Sequence, residues 1–248
     1  MNAQETYKIF SKFYDDLVGQ FDSDIKFYLS HCQKDDKIIE IGCGTGRILE
    51  KLLNLDYFVT GVDISEEMLD KASVKLTNSI LNKKLTLINH DFTTNSLDVK
   101  FNRVLLSYYT FNYILDKPID FLTNVYHILE PNSILLLDLF YPVSMFDNSI
   151  DNKWIAKEVI ANDKIIEFLE NKKVIDNIEN RQQIFRFDNL DLKMNTQRRY
   201  FSPSDIDKFL RLVGFTKVEF AYNYNYEDFR EEIDDTKLKV NFIVRAYN

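Results

Sequence analysis

Between Lys37 and Phe140 the apolar residues follow two alternating rhythms. Short apolar runs, several of them apolar on both faces, lie at Lys37–Ile41, Tyr57–Ile64, Leu85–Asn89, Val104–Tyr109 and Ile134–Phe140. Between them, apolar positions recur every three or four residues at Arg47–Leu53, Glu66–Leu76 and Ile119–Leu129, the last stopped by Pro131. The runs predict buried strands and the periodic stretches predict helices. Strands that alternate with helices imply a parallel sheet covered on both faces. Right-handed crossovers make it doubly wound, with ligands at the carboxyl ends of its strands.

The flanks read differently. Tyr7, Phe10, Phe13, Tyr14, Leu17 and Val18 predict an amphipathic helix over 4–19, and a second helix covers Asp24–Cys32. After Phe140, extended segments are expected at Trp154–Ile160, Lys164–Leu169, Gln183–Asp188 and Met194–Phe201, with a turn at Asn162–Asp163. They predict an antiparallel β insertion near the C-terminus, over 141–202, lying across the ligand edge of the sheet. Ser202-Pro203-Ser204 then opens a helix that stops at Gly214, and strands Lys217–Tyr224 and Leu238–Tyr247 close the sheet. The acidic 227–235 stretch reads as a solvated connection. The chain thus divides as one domain: a helical lid over 1–35, an α/β core over 36–140, the insertion, and a closing unit over 203–248.

Composition narrows the function. The 248 residues carry a formal net charge of −8, which disfavours a broad nucleic-acid footprint. No apolar run reaches the ~20 residues of a membrane span, and a polar N-terminus does not resemble a secretory signal. Cys32 and Cys43 lack a CxxC spacing, and His31, His90 and His127 are scattered. A cytoplasmic protein without metal or disulfide, monomeric or homodimeric, is the expectation.

Gly42, Gly44 and Gly46 alternate in the turn that follows the first strand. A P-loop needs Lys-Ser/Thr after its last glycine, and Arg47-Ile48 stand there instead. A dinucleotide fingerprint spaces its glycines G-x-G-x-x-G, unlike this G-x-G-x-G. Asp63, ending the second strand, suits both hydroxyls of a ribose, which marks a nucleoside without saying which. Asp91, after the third strand, suits an adenine amino group, with Phe92 placed to pack on the ring. A turn or cap residue is the plainer alternative for Asp91.

Taken in order, E-x-G-x-G-x-G, VDIS-x-x-M-L and HDF resemble the class I S-adenosylmethionine-dependent methyltransferases. The resemblance covers 37 to about 140 and returns in RRYFSPSDIDKFLRLVGF; it is nearest to small-molecule members such as sugar N-methyltransferases. It implies a Rossmann-like, seven-stranded mixed sheet. It also implies a site in which Gly42, Gly44 and Gly46 admit the methionyl part of S-adenosyl-L-methionine, and Glu40 holds the loop and the amino group. Asp63 takes the ribose hydroxyls, Ile64 and Met68 pack on adenine, Asp91 and Phe92 bind its edge, and Ser107 joins this set. S-adenosyl-L-homocysteine is the implied product. Met68 is first of all a core position, and Ser65 an N-cap. The family's usual Asp at the start of the fourth strand is replaced by Asn102, followed by Arg103.

The acceptor belongs above the fourth strand, in SYYTFNYIL from Ser107 to Leu115. Tyr108, Tyr109, Asn112 and Tyr113 offer polar and aromatic contacts for a cationic or sugar-like small molecule. Phe111 and one of the tyrosines are expected to pack on the following helix. The N-terminal helix ends in Tyr14-Asp15, a pair that resembles the lid of small-molecule members and places Tyr14 against the cofactor. No residue is singled out as a catalytic base. RNA or a protein side chain as acceptor, and a non-catalytic cofactor-binding subunit, are the other readings.

Overall fold

The computed structural model describes residues 14–15, 21–142, 152–161, 164–187, 190–225 and 227–248. Tyr14 and Asp15 are helical, whereas Tyr7, Phe10, Phe13, Leu17 and Val18 lie outside the described residues, as does the expected Asn162–Asp163 turn.

The principal sheet has seven strands in the order β10-β11-β5-β4-β1-β2-β3. These are β1 (Ile38–Ile41), β2 (Val59–Asp63), β3 (Leu85–Asn89), β4 (Phe101–Leu106), β5 (Leu129–Phe140), β10 (Lys217–Tyr222) and β11 (Asn241–Tyr247). The first five are parallel, and β11 runs antiparallel to both β5 and β10. The chain leaves β1 for β2 and β3, then returns to β4 on β1's other side. That reversal opens a crevice at the carboxyl ends of β1 and β4, the place such sheets bind ligands. All four residues of β1 are buried, as a central strand demands, and Glu40 is the polar one among them.

The helices are α1 (Ile25–Ser30), α2 (Arg47–Asn54), α3 (Glu66–Lys75), α4 (Thr77–Leu81), α5 (Pro118–His127) and α6 (Pro203–Val213). On α2, Ile48, Leu49, Leu52 and Leu53 form the buried face. The start of α3 is fixed by the Ser65 hydroxyl, which accepts from the Met68 N–H at 3.3 Å. Ser202 and Asp205 form a reciprocal capping box on α6, Pro203 follows the cap, and Gly214 ends the helix at φ +126°. Two apolar clusters, one on each face of the sheet's centre, contain Val104, Leu106 and Phe111 in the first and Ile38, Leu49 and Leu105 in the second.

A second, four-stranded antiparallel sheet holds β6 (Ile155–Ala161), β7 (Lys164–Ile175), β8 (Ile178–Phe187) and β9 (Leu190–Arg199) in sequence order. The insertion therefore exists, with more strand than the pattern suggested. Residues 170–182 are paired because Asp176 and Asn177 both adopt positive φ and join β7 to β8 in a two-residue hairpin. Other boundaries also move. β4 ends at Leu106, three residues before the expected Tyr109, because Tyr108 and Tyr109 turn away at φ +49° and +63° into a 3₁₀ turn, Thr110–Tyr113. The helix before β5 stops at His127, and Pro131 lies in the irregular start of β5, where pairing with β4 shifts register. The short α4 and the earlier end of β10, at Tyr222, were not legible from the pattern.

Candidate active site

A cavity of about 1230 Å³ lies over the carboxyl ends of β1, β2 and β4. Its floor is the Glu40–Gly44 loop with Asp63, Ile64, Met68, Asp91, Phe92 and Ser107. Its far wall is supplied by β8 and β9 of the second sheet, through residues including Gln183, Asn195 and Arg198.

The loop's own hydrogen bonds show what it can hold. Gly42 N–H and Cys43 N–H both donate to the Val62 carbonyl at 2.7 and 3.0 Å, and Gly46 N–H to Cys43 O at 2.9 Å. Gly44 N–H donates to Asp63 Oδ2 at 2.8 Å. These amides are consumed, so the loop is no phosphate cradle. The glycines serve backbone shape and approach: Gly42, Gly44 and Gly46 have φ of +76°, +55° and +83°. A Cβ on Gly42 would fall 2.5 Å from the Thr110 side chain. Gly44 faces Tyr14, whose ring carbon Cε1 would stand 3.9 Å from such a Cβ. Gly46 is different: it does not line the cavity, and a Cβ there would meet Leu76 at 2.8 Å. Its place is the N-cap of α2, a structural role and not the cofactor contact expected of it.

Two carboxylates dominate the floor. Glu40 is 1% exposed; its Oε1 accepts from the Ser107 hydroxyl at 2.5 Å, while Oε2 has no hydrogen-bond partner among the described residues. Burial pushes its pKa up to about 8 despite the Ser107 bond and the nearby Arg47. An orphaned, buried carboxylate oxygen in a cavity wall calls for a cationic donor. Asp63 spends one lone pair of each oxygen on backbone, Oδ2 on Gly44 N–H and Oδ1 on Ser65 N–H at 2.9 Å, which leaves further acceptor capacity for hydroxyls. Burial raises its pKa as well. Asp91 sits at the cavity with Oδ1 accepting from the Thr93 N–H and hydroxyl at 2.8 and 2.7 Å. It is thus a turn residue and a cavity residue at once. Phe92 lines the same wall but is buried, with its ring edge-on to His90 at 4.9 Å. Ile64 is exposed and Met68 buried; both line the cavity.

The lid pair occupies the loop's other side. Tyr14 lines the cavity, and the Asp15 carboxylate accepts from the Thr45 hydroxyl at 2.5 Å. Arg47, read from the sequence only as the residue that excludes a P-loop, is a structural anchor here. It donates to both oxygens of Asp24 at 2.7 and 2.6 Å and to Phe21 O at 2.9 Å, and lies 5.3 Å from the Tyr108 ring. An arginine buried directly after the glycines was the available signal.

Among the expected acceptor contacts, Tyr108, Tyr109 and Tyr113 line the cavity, and Phe111 is fully buried against Phe121 and Phe201. Asn112 does not reach it. Its amide donates to Phe140 O and Arg199 O at 3.1 and 2.7 Å and accepts from Phe140 N–H at 2.8 Å. Both polar atoms of the Asn112 side chain are taken up in tying the 3₁₀ turn to β5 and β9, which corrects its expected place in substrate binding. His90 lines the cavity, with Nε2 beside Asn95 O at 2.8 Å; exposed His127 does not. Asn102 and Arg103 stand at the opposite end of β4. There Asn102 accepts from Lys37 N–H and donates to Asp36, and Arg103 also pairs with Asp36 at 3.1 Å. The departure from the family pattern is a clip between strand ends, remote from the cavity.

Residues missed by the sequence reading come from the second sheet. Arg198 is buried, ion-paired through Nε to Glu179 and set 4.1 Å from the Phe140 ring centroid. Arg181 binds Glu170 beside Gln183. Paired cations and carboxamides thus face Tyr113 and Phe140 across the cavity.

Residues 38–132 match the model of the methyltransferase domain family. The fold matches that of an S-adenosylmethionine-dependent methyltransferase from Clostridium acetobutylicum ATCC 824, with a TM-score of 0.73 at 18% identity, covering 96% of this chain and 98% of that one. Residues 38–132 are thus a methyltransferase domain, set in a fold shared with S-adenosylmethionine-dependent methyltransferases. Among proteins similar in sequence is "Putative methyltransferase YqeM" of Bacillus subtilis (strain 168), 28% identical over 173 residues, or 64% of this chain and 69% of that protein. Among similar structures is the sugar N-methyltransferase KedS8 from Streptoalloteichus sp ATCC 53650, with a TM-score of 0.70 at 15% identity over 99% of this chain and 94% of that one. The cavity's own residues fit S-adenosyl-L-methionine: the orphaned Glu40 oxygen suits an ammonium, Asp63 suits ribose hydroxyls, and the Gly42, Cys43, Gly44 and Gly46 amides are already spent within the protein.

Proposed function

We propose that the protein is a methyltransferase that moves the methyl group of S-adenosyl-L-methionine to a nitrogen or oxygen of a small, sugar-like acceptor. The observation that carries the reading is the cavity's wall. β8 and β9 close it with Gln183, Asn195, Thr196 and Gln197, a set of donors and acceptors suited to hydroxyl and amine groups. At about 1230 Å³ the space exceeds a typical single-ligand pocket of ~300–1,000 Å³, as a site for two molecules should. The cofactor, when bound, supplies an activated methyl on a sulfonium with a neutral leaving group. Within it, Glu40, Asp63 and the Gly42–Gly44 loop would bind, and Asp91, Ile64 and Met68 would line the adenine end. Tyr14 and Asp15 close the loop's outer side and exclude water. Tyr108, Tyr109 and Tyr113 orient the acceptor, and alignment of this kind supplies up to ~7–11 kcal/mol of a barrier.

Calorimetry with S-adenosyl-L-homocysteine tests the cofactor half: wild type binds, and Asp63→Ala weakens binding strongly. A methylation screen over amino sugars, nucleotide sugars, amines and phenols, with RNA alongside, tests the acceptor half. Transfer to RNA alone would overturn the small-molecule reading. Binding without transfer to any of them would point to a non-catalytic subunit.

A further inference from the structure

We propose that Tyr109, Tyr224 and Asp138 form a proton wire leading from the cavity into the core, by which Asp138 takes up the proton that an acceptor loses on methylation. This rests on the acceptor being an N–H or O–H compound, as proposed above.

Asp138 is the polar residue in the apolar run of β5 and is wholly buried. Its Oδ1 accepts from the Tyr109 N–H at 2.9 Å, and its Oδ2 lies 3.1 Å from the Tyr224 hydroxyl. That hydroxyl is in turn 3.0 Å from the Tyr109 hydroxyl, and Tyr109 lines the cavity. Tyr109 and Tyr224 both hold positive φ, +63° and +57°, a backbone state that non-glycine residues seldom adopt and that marks a constrained site.

The direction of the wire follows from counting hydrogens. An ionised Asp138 only accepts, so the single hydrogen of Tyr224 points to it. Tyr224 then accepts from Tyr109, whose oxygen also receives the Asn241 amide at 3.4 Å. Protonation of Asp138 reverses every bond: Asp138 donates to Tyr224, Tyr224 to Tyr109, and the Tyr109 hydrogen is a new one drawn from the cavity. The transfer balances. The acceptor's N–H or O–H bond, the Tyr109 O–H and the Tyr224 O–H break, and new O–H bonds form on Tyr109, Tyr224 and Asp138. The electron pair stays on the acceptor atom, and one negative charge disappears from Asp138.

The groups facing Asp138 permit this. The Tyr28 hydroxyl of α1, which donates to the Leu106 carbonyl at 3.3 Å, also faces it, Tyr109 and Tyr224 flank it, and Asp24 contributes a like charge that is itself held by Arg47. Burial first, and Asp24 second, raise its pKa to about 7, where it can both take and release a proton.

The test uses the full chain with ¹³C at tyrosine Cζ and aspartate Cγ. Signals are assigned with Tyr109→Phe and Asp138→Asn. Expected is a titration of Asp138 near neutral pH, with the Tyr109 signal following the same midpoint. In Tyr224→Phe, Asp138 still titrates but Tyr109 no longer follows. A Tyr109 signal that is flat through that midpoint, or that follows it unchanged in Tyr224→Phe, overturns the wire, and neither result needs an acceptor. With an acceptor from the screen, kcat should rise with pH through the same midpoint. Tyr224→Phe should then lower kcat roughly 10²-fold, with KM and S-adenosyl-L-homocysteine affinity retained. Retained kcat in that variant would reduce the cluster to a structural role. Coupled titration with no small acceptor found would leave the wire standing and remove the substrate reading instead.

Discussion

Glu40 carries the most specific consequence at the scale of single residues. Its carboxyl, pushed up to about 8 by burial, is largely protonated at pH 7. A bound ammonium favours the charged form, so binding of S-adenosyl-L-homocysteine should release a proton at that site. Affinity should therefore rise between pH 6 and 8 and level off above. Calorimetry in buffers of different ionisation heat measures the released proton directly. Glu40→Gln should abolish the release and weaken binding about 10- to 100-fold, the cost of one charged hydrogen bond. The three glycines show what a sequence hides at this scale. Their alternation makes them look equivalent, yet only Gly42 and Gly44 face the cavity. Gly46→Ala should cost about 1–3 kcal/mol in a denaturant melt while the folded protein keeps its cofactor affinity. Gly42→Ala should lose both, because its new methyl strikes Thr110 beside the site.

Among the elements, the 3₁₀ turn after β4 decides where the cavity-facing tyrosines point. Asn112→Ala removes three hydrogen bonds from a buried site and should lower stability by ~2–4 kcal/mol. Tyr113→Ala, at a half-open wall, should leave the melt nearly unchanged and raise KM. The apolar rhythm made β1 to β5 and their helices legible, since strands buried on both faces are unbroken runs. It overran β4 because Tyr108 and Tyr109 extend the run in composition while a buried carboxylate on β5 pulls their backbone out of it. Residues 170–182 were illegible for the opposite reason: ENKKVI is too polar for a strand by pattern, and only the Asp176-Asn177 turn signalled the pairing.

At the scale of the whole molecule, the cavity's floor belongs to the parallel sheet and its far wall to the second sheet. The first was readable because its chemistry sits in short local motifs. The wall was not, since Gln183, Asn195 and Arg198 become neighbours only once β8 and β9 pair. Burial of two carboxylates, Glu40 in the cavity floor and Asp138 in the core behind it, also sets a global pH dependence. Glu40 and Asp138 have folded-state pKa values of about 8 and about 7, above the ordinary carboxylate range. The folded chain thus holds protons the unfolded chain has released, so stability contributed by these groups is lost as pH rises from about 4.5 to 8, by up to ~1.4 kcal/mol per pH unit for each. Denaturant melts at pH 5.5 and 8.5 should show the lower pH more stable, and S-adenosyl-L-homocysteine should narrow the gap. The measurement that bears most directly on the central claim is transfer of isotopically labelled methyl from S-adenosyl-L-methionine to a mixed panel of amino sugars, nucleotide sugars, amines, phenols and RNA, read by mass spectrometry. Label on a small hydroxyl- or amine-bearing acceptor, lost in Asp63→Ala, is the result the cavity predicts; label on RNA alone, or on nothing while cofactor binds, would contradict it.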